Sequence, residues 1–545
     1  MVLMEVSDLL THAGYPNPHR CSEEMREEAL RKSQAEGPPC FSKEDVDVED
    51  PEHEHKLMAA EAAKAADAAV AAAPEDQVLS KQVLWQKAFI AEMANQSNLK
   101  LPPQAEVEDS ESQTSEDQME VLQRLLETVT PCASTYPVTV TQATDRQRVE
   151  GKADHWTPLK GSQLVVKPAN EEDCILLVAN MLITPESDRE ESHVLLRRDD
   201  RAISSFFSSY SRQRSWSHHI CLPWLDQPLK RGEFEYQVVG NAGREGSHYF
   251  VGEKKERRQL FSLVLEAFQV SWVEDDEVLS LPPGPWQDVN GLHEVVTTLP
   301  GEKVLVLCTL HYVANWSSEL NRGRFTVVRD DLGLDGLADR GLQSVRALGP
   351  SQPRTLLMAT VDEPPPGPHL YRVRAALTTD EESGVSLTLQ GERQLALIRL
   401  PSGTGPVRPT EPVEIHDATW AEIPGMAASC SLRRPRDRVL LVYHIDCNPL
   451  SYFYEAHFTI FRRKEGAVSA QNLGFSEEFG LDMVFSDYGA SSEYPVGLLV
   501  DTPGSQGPWT YYMAARVANL GTSTENPPVV VGYSGALFAM TLPSR

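Results

Sequence analysis

Asp501-Thr502-Pro503 leads to Gly507 and Tyr511, and the same unit stands at Asp226, Pro228, Gly232 and Tyr236 and again at Asp362, Pro364, Gly367 and Tyr371. A unit written three times constrains the fold of this 545-residue chain more than any other feature. Aspartate at such a place forms an Asx-turn, proline fixes φ and glycine permits φ above zero, so the unit reads as a defined loop that launches a strand. The tyrosine opens that strand, with Tyr371, Val373, Ala375 and Leu377 on one face and Arg372 and Arg374 on the other. A tyrosine ring entering a core there needs a partner for its hydroxyl, and a bond back to the loop would brace it.

The rest of each copy falls into register around this landmark. Trp156, Trp286 and Trp420 begin the copies, and the apolar runs CILLVANMLI, VLVLCTLHYV and VLLVYHIDC follow from Cys174, Val304 and Val439. Their length and β-branching predict buried strands. Next come HVLLRRDD from His193, RFTVVRDD from Arg324 and HFTIFRRKEG from His457, each an apolar strand running into a turn, and RQLFSLVLEA, RQLALIRLPSG and GALFAMTLPSR close the copies. Copies of this size each hold enough chain for one sandwich, unlike the roughly 20 to 45-residue units of a solenoid. The expected layout is an acidic helical arm over 1–130 and β-units over 150–268, 284–402 and 418–545, with linkers between.

The order of motifs resembles the tumour necrosis factor and complement-globular-head jelly roll. An immunoglobulin-like or calpain-type β-sandwich meets the same alternation and turn signals. The resemblance implies a mainly β chain of three antiparallel jelly-roll-like sandwiches. Because domains of that family commonly trimerise around a threefold axis, it also implies an intramolecular pseudo-trimer, with beads on a string as the rival arrangement.

The net charge of −29 opposes a phosphate backbone and argues against nucleic acid as a partner. Residues 1–130 hold 27 acids against 11 bases, so the acidity is concentrated there. That region reads as an extended arm of three or four short helices, one of them alanine-rich over 56–73, and its amphipathic stretch around Phe89 and Ile90 wants a surface to dock on. Eight cysteines without a CxxC pair predict reduced thiols, the N-terminus has no signal-peptide pattern, and no 18-residue apolar run occurs anywhere in the sequence. A soluble, intracellular protein is expected.

No nucleophile elbow, phosphate loop, zinc-protease helix or dinucleotide fingerprint stands in a workable context, so no catalytic, cofactor or metal residue is nominated. His218, His219, His311 and His444 have no counterparts after registration. The acidic turns at Asp199-Asp200 and Asp330-Asp331 read as solvated hairpin ends rather than calcium loops. The leading expectation is a noncatalytic scaffold that binds proteins through the arm. The alternative is a carbohydrate- or other ligand-binding protein working through a jelly-roll loop, and Trp509 with Tyr512, absent from the sister copies, marks the place to look.

Overall fold

The computed structural model describes residues 136–544, apart from short stretches at 153–154, 187–189, 212–217, 253–255, 316–320, 335–340, 346–353, 380–384, 402, 450–453, 478, 487–493, 520–528 and 533. The arm over 1–130, including Phe89 and Ile90, lies outside the described residues.

The described chain is built of curled antiparallel sheets packed as jelly-roll-like sandwiches. In the first copy one sheet pairs Cys174–Pro185 with Arg258–Leu265 on one side and His218–Asp226 on the other. The facing sheet orders Thr157–Val166, Phe234–Asn241 and Glu190–Arg198. The second copy repeats both patterns around Lys303–Asn315 and Gly367–Thr378, and the third around Arg438–His444 and Gly507–Asn519.

The stretches expected to be linkers need correction. Val270–Asp275 and Leu279–Leu281 pair with Arg393–Leu400 and Ser386–Leu389, and Thr404–Val407 and Val413–Ile415 likewise join the third copy's sheets. Val138–Ala143 does the same in the first copy, ahead of residue 150. Each repeat therefore begins earlier than Trp156, Trp286 or Trp420. These are short strands whose residues are mostly half-buried, so they carry no long apolar run by which to recognise them.

The long apolar runs have a specific cause. An antiparallel sheet usually keeps one face wet and alternates polar with apolar residues, yet all twelve residues of Cys174–Pro185 are buried. Ile175, Leu177, Ala179, Met181 and Ile183 fill the first copy's own core. Leu176 and Val178 point the other way, into a cluster that also holds Leu305, Leu307, Ala359 and Ile398 of the second copy and Leu440, Val442, Leu498 and Phe538 of the third. The three inner sheets thus share one central core, while each sandwich keeps its own.

Polar side chains stitch the same contact. His218–Asp226 and Val496–Asp501 are sheet edges whose outward backbone groups need partners. The Gln394 side chain supplies them to Leu225, accepting its N–H at 2.8 Å and donating to its carbonyl at 3.0 Å. Gln259 does the same for Val500, at 3.1 and 2.9 Å. Leu225 and Val500 each immediately precede a landmark aspartate, so the two clamps are equivalent. Asn180 adds a bond to the Leu498 carbonyl at 2.7 Å. In the third copy Ala536 stands where Gln259 and Gln394 stand, and its joint to the second copy instead uses His444 Nε2 against the Leu342 carbonyl at 2.9 Å and Gln343 Nε2 donating to the Tyr494 carbonyl at 2.7 Å.

Candidate functional site

The landmark residues converge on a buried ion pair. Asp226 accepts from the Tyr236 hydroxyl at 2.6 Å and from Arg198 at 2.7 and 2.8 Å. Asp362 accepts from Tyr371 at 2.8 Å and Arg329 at 2.6 Å, and Asp501 from Tyr511 at 2.9 Å and Arg462 at 2.6 and 2.7 Å. Arginine, aspartate and tyrosine come from three different strands, which the triad pins together. Each tyrosine has no exposed surface at all. Burial and the neighbouring aspartate push all three phenols above the ordinary tyrosine range, so they stay protonated donors and cannot serve as bases.

The arginine was not identified as part of this unit from sequence. Arg198, Arg329 and Arg462 each end the matched strand block, and the need of a buried carboxylate for a cation was the signal that could have found them. Gly232, Gly367 and Gly507 take φ of 155°, 135° and 111°, backbone that is nearly closed to other residues, where the loop turns into its strand. The initial tryptophans lie across the solvent side of the outer sheets. Trp286 and Trp420 cover Gly341 and Gly480, where an added Cβ would fall 2.9 and 2.7 Å from the indole, and Trp156 packs near Phe206 at 6.4 Å between ring centroids.

The remaining candidates are also consumed by the fold. His219 stacks on Phe475 at 5.6 Å and reaches Asp482 at 3.3 Å, joining first copy to third. His311 meets Thr355 at 2.9 Å, and burial lowers its pKa to about 4. His444, Ser534 and Asp446 lie together, but the Ser534 hydroxyl donates to Asp446 at 2.7 Å while His444 contacts the Ser534 carbonyl. All three are buried to within 1% exposure, so no substrate reaches this set. Asp199 and Asp330, at φ of 47° and 48°, accept the backbone N–H of Glu235 and Leu370 and close hairpins. Among the described residues no group of three metal-type side chains comes together, and no helix is long and apolar enough to cross a membrane. Cys174, Cys221, Cys308, Cys430 and Cys447 are free thiols, and burial pushes Cys221 up to about 12.

Trp509, near the start of the strand Gly507–Asn519, is tied back to the preceding loop, its Nε1–H donating to the Ser505 carbonyl at 3.1 Å with Arg462 and Lys464 over the ring. Tyr512 stacks on Phe461 at 5.6 Å, with Arg463 over its ring, and Trp420 lies 6.3 Å from Phe461 under Arg516. The two residues therefore do not form one flat platform.

No family model matches the chain, and no curated protein does. Among solved structures, a peptide-N(4)-(N-acetyl-beta-D-glucosaminyl) asparagine amidase is similar over 49% of this chain and 97% of its own, at 10% identity and a TM-score of 0.24. A tandem CBM22 domain from Paenibacillus barcinonensis Xyn10C matches 50% of this chain and 94% of its own, at 9% identity and 0.15. A triple jelly-roll protein of an archaeal virus turret matches 72% and 91%, at 8% and 0.16. Similarity at this level carries no argument about fold or function.

Proposed function

We propose that the chain is a noncatalytic interaction protein whose three jelly-roll-like copies close into an intramolecular pseudo-trimer. Support for closure comes from the shared central core and from the equivalent glutamine clamps, which run from the first copy to the third and from the second to the first. Such head-to-tail contacts close a ring when the rotation suits, as in the trimers of the family the motifs resemble. The observation that carries the noncatalytic reading is that the polar chemistry repeated in every copy is spent on pinning strands. In this reading the arm over 1–130 attaches the body to a larger assembly inside the cell, a setting in keeping with the free thiols. Affinity purification of tagged full-length chain, beside a form lacking residues 1–130, tests this. Partners should accompany the full chain and be lost with the arm; equal recovery from both, or none from either, contradicts the reading.

A second reading, ligand or glycan binding, has its own observation: the half-buried aromatic group of Trp420, Phe461 and Tyr512 on the third copy's outer sheet. Gln237 and Arg372 stand where Tyr512 does in the sister copies. A glycan array run with and without calcium separates the readings, since binding lost in Tyr512→Ala would favour this one.

A further inference from the structure

The three copies can be compared position by position at the end where their landmark loops lie. Three turns meet there: the one before each apolar run, the hairpin after the triad arginine, and the landmark loop. Register places them together, with Leu432 opposite Gly507 and Lys464 opposite Trp509 in the third copy. In the first copy the leading turn carries Glu171, Glu172 and Asp173 against Lys167, and the hairpin carries Asp199 and Asp200. Only its landmark loop is basic, through Lys230 and Arg231. The second copy has Glu302 and then Asp330 and Asp331. In the third copy the same turns read Arg433-Arg434-Pro435-Arg436-Asp437 and Arg463-Lys464-Glu465, still basic in sum. One end of one copy has reversed its charge, in a chain whose net charge is −29.

The acid of the leading turn does not neutralise it. Asp437 is buried and accepts the backbone N–H groups of Arg433, Arg434 and Ser544, so its carboxylate is spent on the turn. Arg433, Arg434, Arg436, Arg463 and Lys464 are exposed, and among the described residues none of them forms a salt bridge. Beside Arg436 a groove of about 420 Å³ runs between the third copy and the start of the first, and Arg434 donates to the carbonyl of Ser544 in its lining, while Arg463 lies over Tyr512 at the same end of the copy. Arg436 and Arg438 stand in its wall with Tyr136, Val138, Leu542 and Pro543.

We infer that this groove and its basic rim bind a short, extended acidic segment of a partner protein. Arginine forks match carboxylates two bonds at a time, and the apolar lining takes the side chains between them. A long nucleic acid fits less well. Screening confines the attraction to roughly 8 Å at physiological salt, and a polyanion longer than the rim would run on over acidic surface. This inference rests on the protein-interaction reading and gives it a surface.

The test uses full-length protein and fluorescence anisotropy with a labelled decapeptide of alternating glutamate and leucine. A glutamine–leucine peptide and a ten-nucleotide single strand serve as comparators. The glutamate peptide should bind about tenfold or more tightly than either, and weaken as salt rises. The double variant R436E/R463E, at exposed positions, should lose about tenfold or more, while K230E/R231E at the matching end of the first copy should change affinity less than about twofold. Equal affinity for the glutamate and glutamine peptides overturns the inference, as does tighter binding of the oligonucleotide or an undiminished affinity in R436E/R463E. Loss of peptide binding with partners still recovered on purification would remove this surface alone. Peptide binding without any recovered partner would instead remove the assembly reading.

Discussion

At the scale of single residues, the landmark aspartates hold two donors each, and their neighbours set the cost of losing them. Tyr371→Phe leaves Asp362 with Arg329, and should lower stability by about 1 kcal/mol. Asp362→Ala strands a buried cation and a buried hydroxyl together, and should cost about 3 to 5 kcal/mol. Denaturant midpoints measure both, and equal small effects would mean that the triad does not bear on the fold. His311 gives the pH dependence. Its folded pKa, about 4, lies below the ordinary 6.5 because burial disfavours the charged ring. The unfolded chain therefore binds more protons between those values. The stability His311 contributes is full above about pH 6.5 and falls away towards pH 4, by on the order of 3 kcal/mol. His311→Gln should flatten that part of a stability–pH curve. At this scale the sequence announces the aspartate, glycine and tyrosine through their spacing. It leaves the arginine unassigned because that residue sits on a separate strand, and its match to the aspartate is a fact of sheet order.

Among elements, the long apolar strands were legible and the short ones were not. CILLVANMLI advertises itself because both of its faces are buried, against two different cores. Thr404–Val407 and Val413–Ile415 are half-exposed pieces of three or four residues, and nothing in their composition separates them from a linker. Edge strands raise a further matter, because an unpartnered edge invites pairing with another chain. Gln259 and Gln394 cover two such edges with side-chain amides that stand in for a neighbouring strand. Replacing either by alanine leaves a buried N–H and carbonyl unmet, at a cost of about 1 to 3 kcal/mol. Amide exchange should quicken at Val500 in Gln259→Ala and at Leu225 in Gln394→Ala. Exchange rates unchanged at those amides would mean that the clamps are incidental.

For the whole molecule, the decisive relation is between copies rather than within them. Repetition revealed three units, and the packing of their inner faces follows from a physical demand: antiparallel strands without a polar face need cover on both sides. Only the resemblance to a trimerising family suggested where that cover comes from. The same comparison of copies exposes what differs, since Ala536 replaces a clamp and Arg463-Lys464 replaces an acidic pair. Such departures from an internal pattern are the best guide to what one copy does alone. The shared core can be tested directly by hydrogen exchange on Phe538→Ala. Phe538 belongs to the third copy, is 1% exposed in the central cluster, and lies 5.9 Å from Lys303 Nζ of the second. A closed body predicts faster exchange in all three inner strands, Cys174–Pro185, Lys303–Asn315 and Arg438–His444. Loss of protection confined to the third copy would contradict it.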